Sequence, residues 1–175
     1  MRKLQLDELN RLNIEEFQNS QKLQVTLVLD NIRSLNNVGS AFRTGDGLAV
    51  ERIYLCGITG TPPHNEIHKT ALGAQDSLEW KHFKTTSEAL NCLKEENYTL
   101  LALEQTDEST MLHKFEYDNN KKYAFIFGNE VFGVEDEALT LCDHCLEIPQ
   151  FGTKHSFNVS VTLGMTLWDY FSKTR

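Results

Sequence analysis

The chain has 175 residues, 40% of them hydrophobic and 24% charged, with a formal net charge of −8. The length suits one domain of roughly 150 residues, and the composition excludes a disordered or low-complexity chain. The acidic balance argues against a general nucleic-acid binder, because phosphate contacts need Lys and Arg; any RNA-binding surface must be a local basic patch on an acidic body.

Met1 to Gln24 is polar, punctuated by Asp7, Glu8, Glu15 and Glu16, and has no apolar signal-peptide core. No apolar run approaches the ~18 residues of a membrane span. These features predict a cytoplasmic chain without a membrane segment. Leu4, Leu6, Leu9, Leu12, Ile14 and Phe17 fall at a loose helical spacing, which predicts an N-terminal helix within residues 1–24. Val25 to Asp30 is a continuous β-rich apolar run, the pattern of a strand buried on both faces. A helix is expected around 37–49, a strand over Arg52–Cys56, a helix over 64–73 and a short strand over Leu78–Phe83. Ser87 to Glu96 reads as a helix capped from Thr85 or Thr86. Strands follow at Tyr98–Leu103 and Tyr123–Phe127, then a helix near 135–142, a last strand at Cys145–Ile148 stopped by Pro149, and an apolar helix over 158–172. This alternation predicts one α/β domain with a mostly parallel sheet and helices on both faces. Ligands bind at the carboxyl ends of strands in such sheets, so the loops after Asp30, Leu103, Phe127 and Ile148 should form one functional rim.

The cysteines at 56, 92, 142 and 145 are read as reduced thiols. Cys142 and Cys145 form one CxxC, but a zinc site usually needs a second such pair, so the pair reads as the end of a helix running into a strand. His64 and His68 superficially suggest a zinc-protease helix, but that motif places Glu directly after the first His; these two read as surface or structural histidines. No metal is expected.

Three segments could carry chemistry. In the first, Asn31 to Arg43 leaves a strand and opens a helix, with Asn37 and Gly39 at the turn. Arg43 could hold a phosphate or ribose, or be an exposed residue of an ordinary Asn-capped helix. In the second, Phe127 to Val134, Gly128 would let a ligand approach the backbone, and Glu130 becomes a carboxylate on the rim and a possible partner for Arg43. In the third, Ile148 to Ser160, Ser156 or Asn158 suits a helix N-cap where free N–H groups attract anions, with Lys154 and His155 adding positive charge.

Together and in this order, Asn37-x-Gly-x-x-x-Arg43, Gly128-Asn-Glu130 and Ile148-Pro…Ser156-Phe-Asn158-Val-Ser resemble the three motifs of SpoU/TrmH-type RNA 2′-O-ribose methyltransferases of the SPOUT group. Lys69-Thr-Ala-Leu-Gly-Ala74 also resembles that family's stretch after the second strand. The resemblance covers about residues 25–172. It implies a C-terminal deep trefoil knot formed from about Tyr123 to Arg175, and a homodimer with the site near its interface, to which the helix containing Trp168 and Tyr170 would contribute. It implies S-adenosylmethionine held largely by backbone groups of Leu103, Glu104, Gly128, Ile148 and Phe157, with Ser156 beside it. Arg43 would position the phosphate next to the target ribose, and Asn37, Glu130, Ser156 and Asn158 would fix Arg43 and the ribose. Arg33, Lys154 and His155 are the RNA-binding candidates, with a partner protein as an alternative grip. The small size favours tRNA as substrate; the alternatives are rRNA, or a non-catalytic knotted dimer that binds RNA. Gln150 and Phe157 stand where relatives often have Met and Leu, and both are expected to be tolerated.

Overall fold

The structure is a computed structural model that describes residues 1–175, the side chain of Leu6 excepted. Its frame grows from β1 (Leu23–Asp30), where every side chain except Gln24 is buried. Alternate residues of a strand point to opposite faces, and β1 divides in that way. Leu27 and Leu29 enter one apolar cluster with Val38 and Phe42, while Val28 enters another with Leu90 and Ala138. A strand buried on both sides needs helices on both sides. The helices α2 (Leu35–Gly47) and α7 (Val159–Thr174) cover the first face. The second is covered by α5 (Thr86–Glu95) and α6 (Asp136–Leu141).

Six further strands complete the sheet: β2 (Val50–Cys56), β3 (Glu79–Phe83), β4 (Tyr98–Leu103), β5 (Thr110–Met111), β6 (Lys122–Phe127) and β7 (His144–Glu147). Their order is β3-β2-β1-β6-β4-β7-β5, and every pairing is parallel. The registers Leu29↔Phe127, Leu103↔Phe127 and Leu103↔Leu146 bring the carboxyl ends of β1, β4, β6 and β7 level with one another. The rim expected from the sequence is therefore a single edge.

The elements differ from the sequence reading at identifiable points. The N-terminal helical spacing does not form one helix. A 3-10 turn at Leu6–Leu9 ends on left-handed Asn10, and α1 (Ile14–Asn19) restarts from a capping box between Asn13 and Glu16. Helix 64–73 is cut by Leu72 and Gly73, both at positive φ, into α3 (Asn65–Ala71) and α4 (Ala74–Ser77). Thr85 caps α5 by accepting from the Glu88 N–H, while Thr86 is buried and donates to the Asp30 carboxylate. The two-residue strand β5 is too short to leave a periodic signal. No helix of the described residues is long and apolar enough to cross a membrane.

Candidate active site

At the end of β1 the chain turns through Asn31, which sits at φ 53°. Its side chain accepts from the Ile58 N–H at 3.1 Å and donates to Asp30 at 2.9 Å and Glu135 at 2.8 Å. The Asp30 carboxylate, fully buried, also accepts from the Glu135 N–H at 2.8 Å. Burial first, then the neighbouring Asp30, pushes the Glu135 carboxyl above its ordinary value. Ser34, not an Asn, caps α2, accepting from the Asn37 N–H at 3.3 Å.

Gly39 lies inside α2 rather than at a turn. A Cβ there would collide with the Ile67 carbonyl and the Thr70 hydroxyl, so glycine permits close packing of α2 on α3. Thr70 completes that contact by donating to the Asn36 carbonyl at 2.9 Å, which places the Lys69–Ala74 segment against the first motif.

The second motif is a rigid turn. Asn129 and Gly133 exchange two backbone hydrogen bonds of 2.9 Å, and the Asn129 side chain accepts from the N–H groups of Val131 and Phe132 at 2.9 and 3.2 Å while donating to the Asn31 carbonyl at 2.6 Å. Gly128 owes its place to this turn, since a Cβ there would strike the Gly133–Val134 backbone. Gly128 also lines the cavity described below. Gly133, at φ 73°, faces the Glu104 carboxylate, which accepts from Gln105 N–H at 2.8 Å and Val134 N–H at 3.0 Å.

Glu130 accepts from the N–H groups of Arg33 at 2.9 Å and Ser34 at 3.0 Å, and from the Asn37 amide at 3.0 Å. Burial alone would raise its pKa; these donors outweigh it and hold the carboxyl below its ordinary value. Asn158, which caps α7 by accepting from the Ser160 N–H at 2.9 Å, donates to the Asn37 side-chain oxygen at 3.2 Å. The relay Asn158–Asn37–Glu130 thus joins residues from all three motifs. The expected Arg43–Glu130 pair does not form: the donors above occupy both carboxylate oxygens, and Arg43 lies exposed on α2.

Beside the relay is a cavity of about 470 Å³, within the range of roughly 300–1,000 Å³ typical of small-molecule sites. Leu103, Glu104, Gly128, Glu130, Ile148, His155, Ser156, Phe157 and Asn158 line it; Arg33, Asn37, Arg43 and Lys154 do not. The Glu104 N–H is already engaged by the Leu146 carbonyl at 3.1 Å. Gln105, which the sequence did not single out, and Gln150, marked there only as a tolerated departure, shape it as well. Gln105 donates to the His155 carbonyl at 2.9 Å and Gln150 to the same oxygen at 3.3 Å, pinning the third motif's loop. Neither lies in a pattern that marks a side chain as a donor to a distant loop. The lining carries the carboxylates of Glu104, Glu130 and Glu147 and no Lys or Arg.

Elsewhere, burial pushes the Cys142 thiol up to about 12, keeping it protonated where α6 runs toward β7. His64 caps α3 by accepting from the Glu66 N–H at 3.1 Å, and the His68 ring meets the Gln75 amide at 3.0 Å. Among the described residues no group of three or more His, Cys, Asp or Glu side chains could hold a metal ion.

Comparison with known proteins agrees with this geometry. The SpoU rRNA Methylase family matches residues 24–168. The tRNA (guanosine(18)-2′-O)-methyltransferase of Thermus thermophilus is 29% identical over 162 residues, covering 93% of this chain and 81% of that one. The 23S rRNA (guanosine-2′-O-)-methyltransferase RlmB of Neisseria meningitidis is 28% identical, covering 90% of this chain and 62% of that one. Among solved structures, a TrmH/SpoU tRNA modifying enzyme of A. aeolicus superposes with a TM-score of 0.80 at 22% identity, covering 91% of this chain and 80% of that one. An AdoMet-bound rRNA methyltransferase of Sinorhizobium meliloti gives 0.79 at 22% identity, covering 87% of this chain and 58% of that one.

Proposed function

Because the chain belongs to the SpoU rRNA Methylase family, we propose that it transfers a methyl group from S-adenosylmethionine to a ribose 2′-hydroxyl of RNA. The observation that carries this reading is the convergence of the three motif segments, through Asn158, Asn37 and Glu130, beside one cavity at the carboxyl edge of the sheet. The cavity suits the cofactor by size and by charge: the carboxylates of Glu104, Glu130 and Glu147 favour a ligand bearing a sulfonium and an ammonium. When bound, S-adenosylmethionine supplies an electrophilic methyl, and Leu103, Gly128, Ile148 and Phe157 would hold it, largely by main-chain groups.

The chain's residues then have separable tasks. Glu130, held ionised by three donors, is a weak base and serves to fix the turn after β1. Arg43 positions the phosphate beside the target ribose; a guanidinium cannot be deprotonated in a protein and so cannot take the hydroxyl proton. Orientation of this kind lowers a barrier by several kcal/mol. Asn37 and Asn158 keep α2 and α7 in register, and Ser156 stands on the cavity wall beside the ribose. Arg33, Lys154 and His155, exposed around the rim, contribute phosphate contacts.

tRNA is the favoured substrate class. The chain spans 81% of the Thermus tRNA enzyme and 74% of the Borreliella burgdorferi one, against 62% of both the Neisseria rRNA enzyme and the Escherichia coli tRNA enzyme. The working form is a cytoplasmic homodimer, knotted from about Tyr123 onward. Val161 and Trp168, both exposed on α7, support an interface there.

The test is transfer of tritiated methyl from S-adenosylmethionine to bulk tRNA and, separately, to rRNA. Wild type should label one pool, and Arg43→Ala should lose at least 100-fold in turnover while cofactor affinity by calorimetry stays within about twofold. Equal rates in the variant would sink the role given to Arg43. Labelling of neither pool, with cofactor still bound, would favour the non-catalytic RNA-binding reading.

A further inference from the structure

Resting on the RNA reading above, we propose that Phe132 and Phe151 are a base-stacking platform, the means by which this acidic chain seats unpaired nucleotides of its RNA at the methyl-transfer cavity. Phe132 is 86% exposed and Phe151 is 96% exposed. Phe132 lines the cavity from the turn after β6, and Phe151 directly follows Gln150, which lines it from the loop after β7. One large ring thus projects on the cavity wall and a second from the adjoining loop.

Their exposure is enforced. The Phe132 N–H is held by the Asn129 side chain at 3.2 Å, inside a turn closed by the reciprocal Asn129–Gly133 backbone pair. The loop carrying Phe151 is drawn in by Gln105 and Gln150, which both donate to the His155 carbonyl. An exposed phenyl costs solvation free energy, and in the structure these hydrogen bonds hold both loops with the two rings outward.

Charge then selects the occupant. RNA binding ordinarily draws on phosphate neutralisation, yet the net charge is −8 and the cavity lining contributes carboxylates and no Lys or Arg. Beyond the few phosphate contacts of Arg33, Arg43, Lys154 and His155, what attracts a nucleotide at the cavity is a π-face, which accepts any base and requires no cation. Bases that stack on aromatic side chains are those splayed out of single-stranded loops; the target is therefore an unpaired nucleotide rather than one within a duplex.

The experiment uses the full-length protein with S-adenosylhomocysteine and a 12-nucleotide single-stranded RNA carrying 2-aminopurine at its centre, read by fluorescence and anisotropy. Wild type should bind and alter the 2-aminopurine emission. Phe132→Leu and Phe151→Leu should each weaken binding by about tenfold and abolish the emission change, and Phe132→Trp and Phe151→Trp should restore both. Sedimentation velocity is run on every variant. Leucine variants that bind and alter emission as wild type does would overturn the inference while leaving the RNA reading intact. Leucine variants that dissociate a wild-type dimer would assign the patch to a second copy of the chain, which also overturns it. A wild type that binds no RNA would remove the RNA reading, and the platform with it.

Discussion

At the scale of single residues, Glu130 decides whether the site stays assembled. Its two oxygens take three donors, from Arg33, Ser34 and Asn37, and those donors depress its pKa against the opposing effect of burial. A carboxyl depressed in the folded state stabilises the fold fully above its unfolded value, and that contribution is lost as the pH falls through the folded value. The affected window therefore lies below about 4.5, the ordinary value. Methyl transfer and thermal stability followed from pH 7 down to pH 3 should both show a loss in that window. Glu130→Gln should remove this component of the pH dependence. It should also cost roughly 1 kcal/mol at neutral pH, because an amide NH2 then faces a backbone N–H. A variant whose acid profile overlays that of wild type would show that Glu130 does not couple the motifs.

At the scale of elements, the contact of α2 with α3 places the first motif. Gly39 has no room for a methyl group because the Ile67 carbonyl and Thr70 occupy it. Gly39→Ala should therefore lower stability by about 1–3 kcal/mol, as overpacking does, even though alanine is the better helix former. An unfolding midpoint unchanged or raised would refute this account of the glycine. Much of the fold was legible because the strands β1, β4 and β6 are continuous apolar runs and the helices carry recognisable ends. The misreadings share one cause, which is tertiary geometry that leaves no local trace. Gly39 and Gly128 were marked by their motifs, but only folded proximity shows that each is pressed by protein backbone. Asn37 and Asn158 were marked as well, though their mutual hydrogen bond spans 121 positions. Spacing suggested that Arg43 could reach Glu130; the backbone amides at the start of α2 reach it first. Gln105 gave no signal and Gln150 stood out only as a tolerated departure, because any polar side chain would look the same in sequence.

For the molecule as a whole, acidity and RNA chemistry have to coexist. Arg33, Arg43, Lys154 and His155 are few, and the cavity, which His155 lines, is otherwise lined by carboxylates and no Lys or Arg. With few phosphates neutralised, the dependence of RNA affinity on salt should be shallow. A plot of log K against log salt should have a slope of magnitude about 3 or less, from some 0.7 per phosphate contact on a single strand. A slope near that of a basic DNA-binding protein, at about 10, would mean that a larger cationic surface exists than these residues provide.

The position of β6 has a consequence for how the chain is made. It lies between β1 and β4 at the centre of the sheet, yet it spans residues 122–127, long after β1 at 23–30. During synthesis at roughly 5–20 residues per second, β1 waits about 5–18 s for β6 and β4 about 1–4 s, each with a bare inner edge that is an open template for another chain. The nascent protein passes through a prolonged period in which its most apolar strands have no neighbour between them, and the ribosome must release Phe127 before the two halves of the sheet can join.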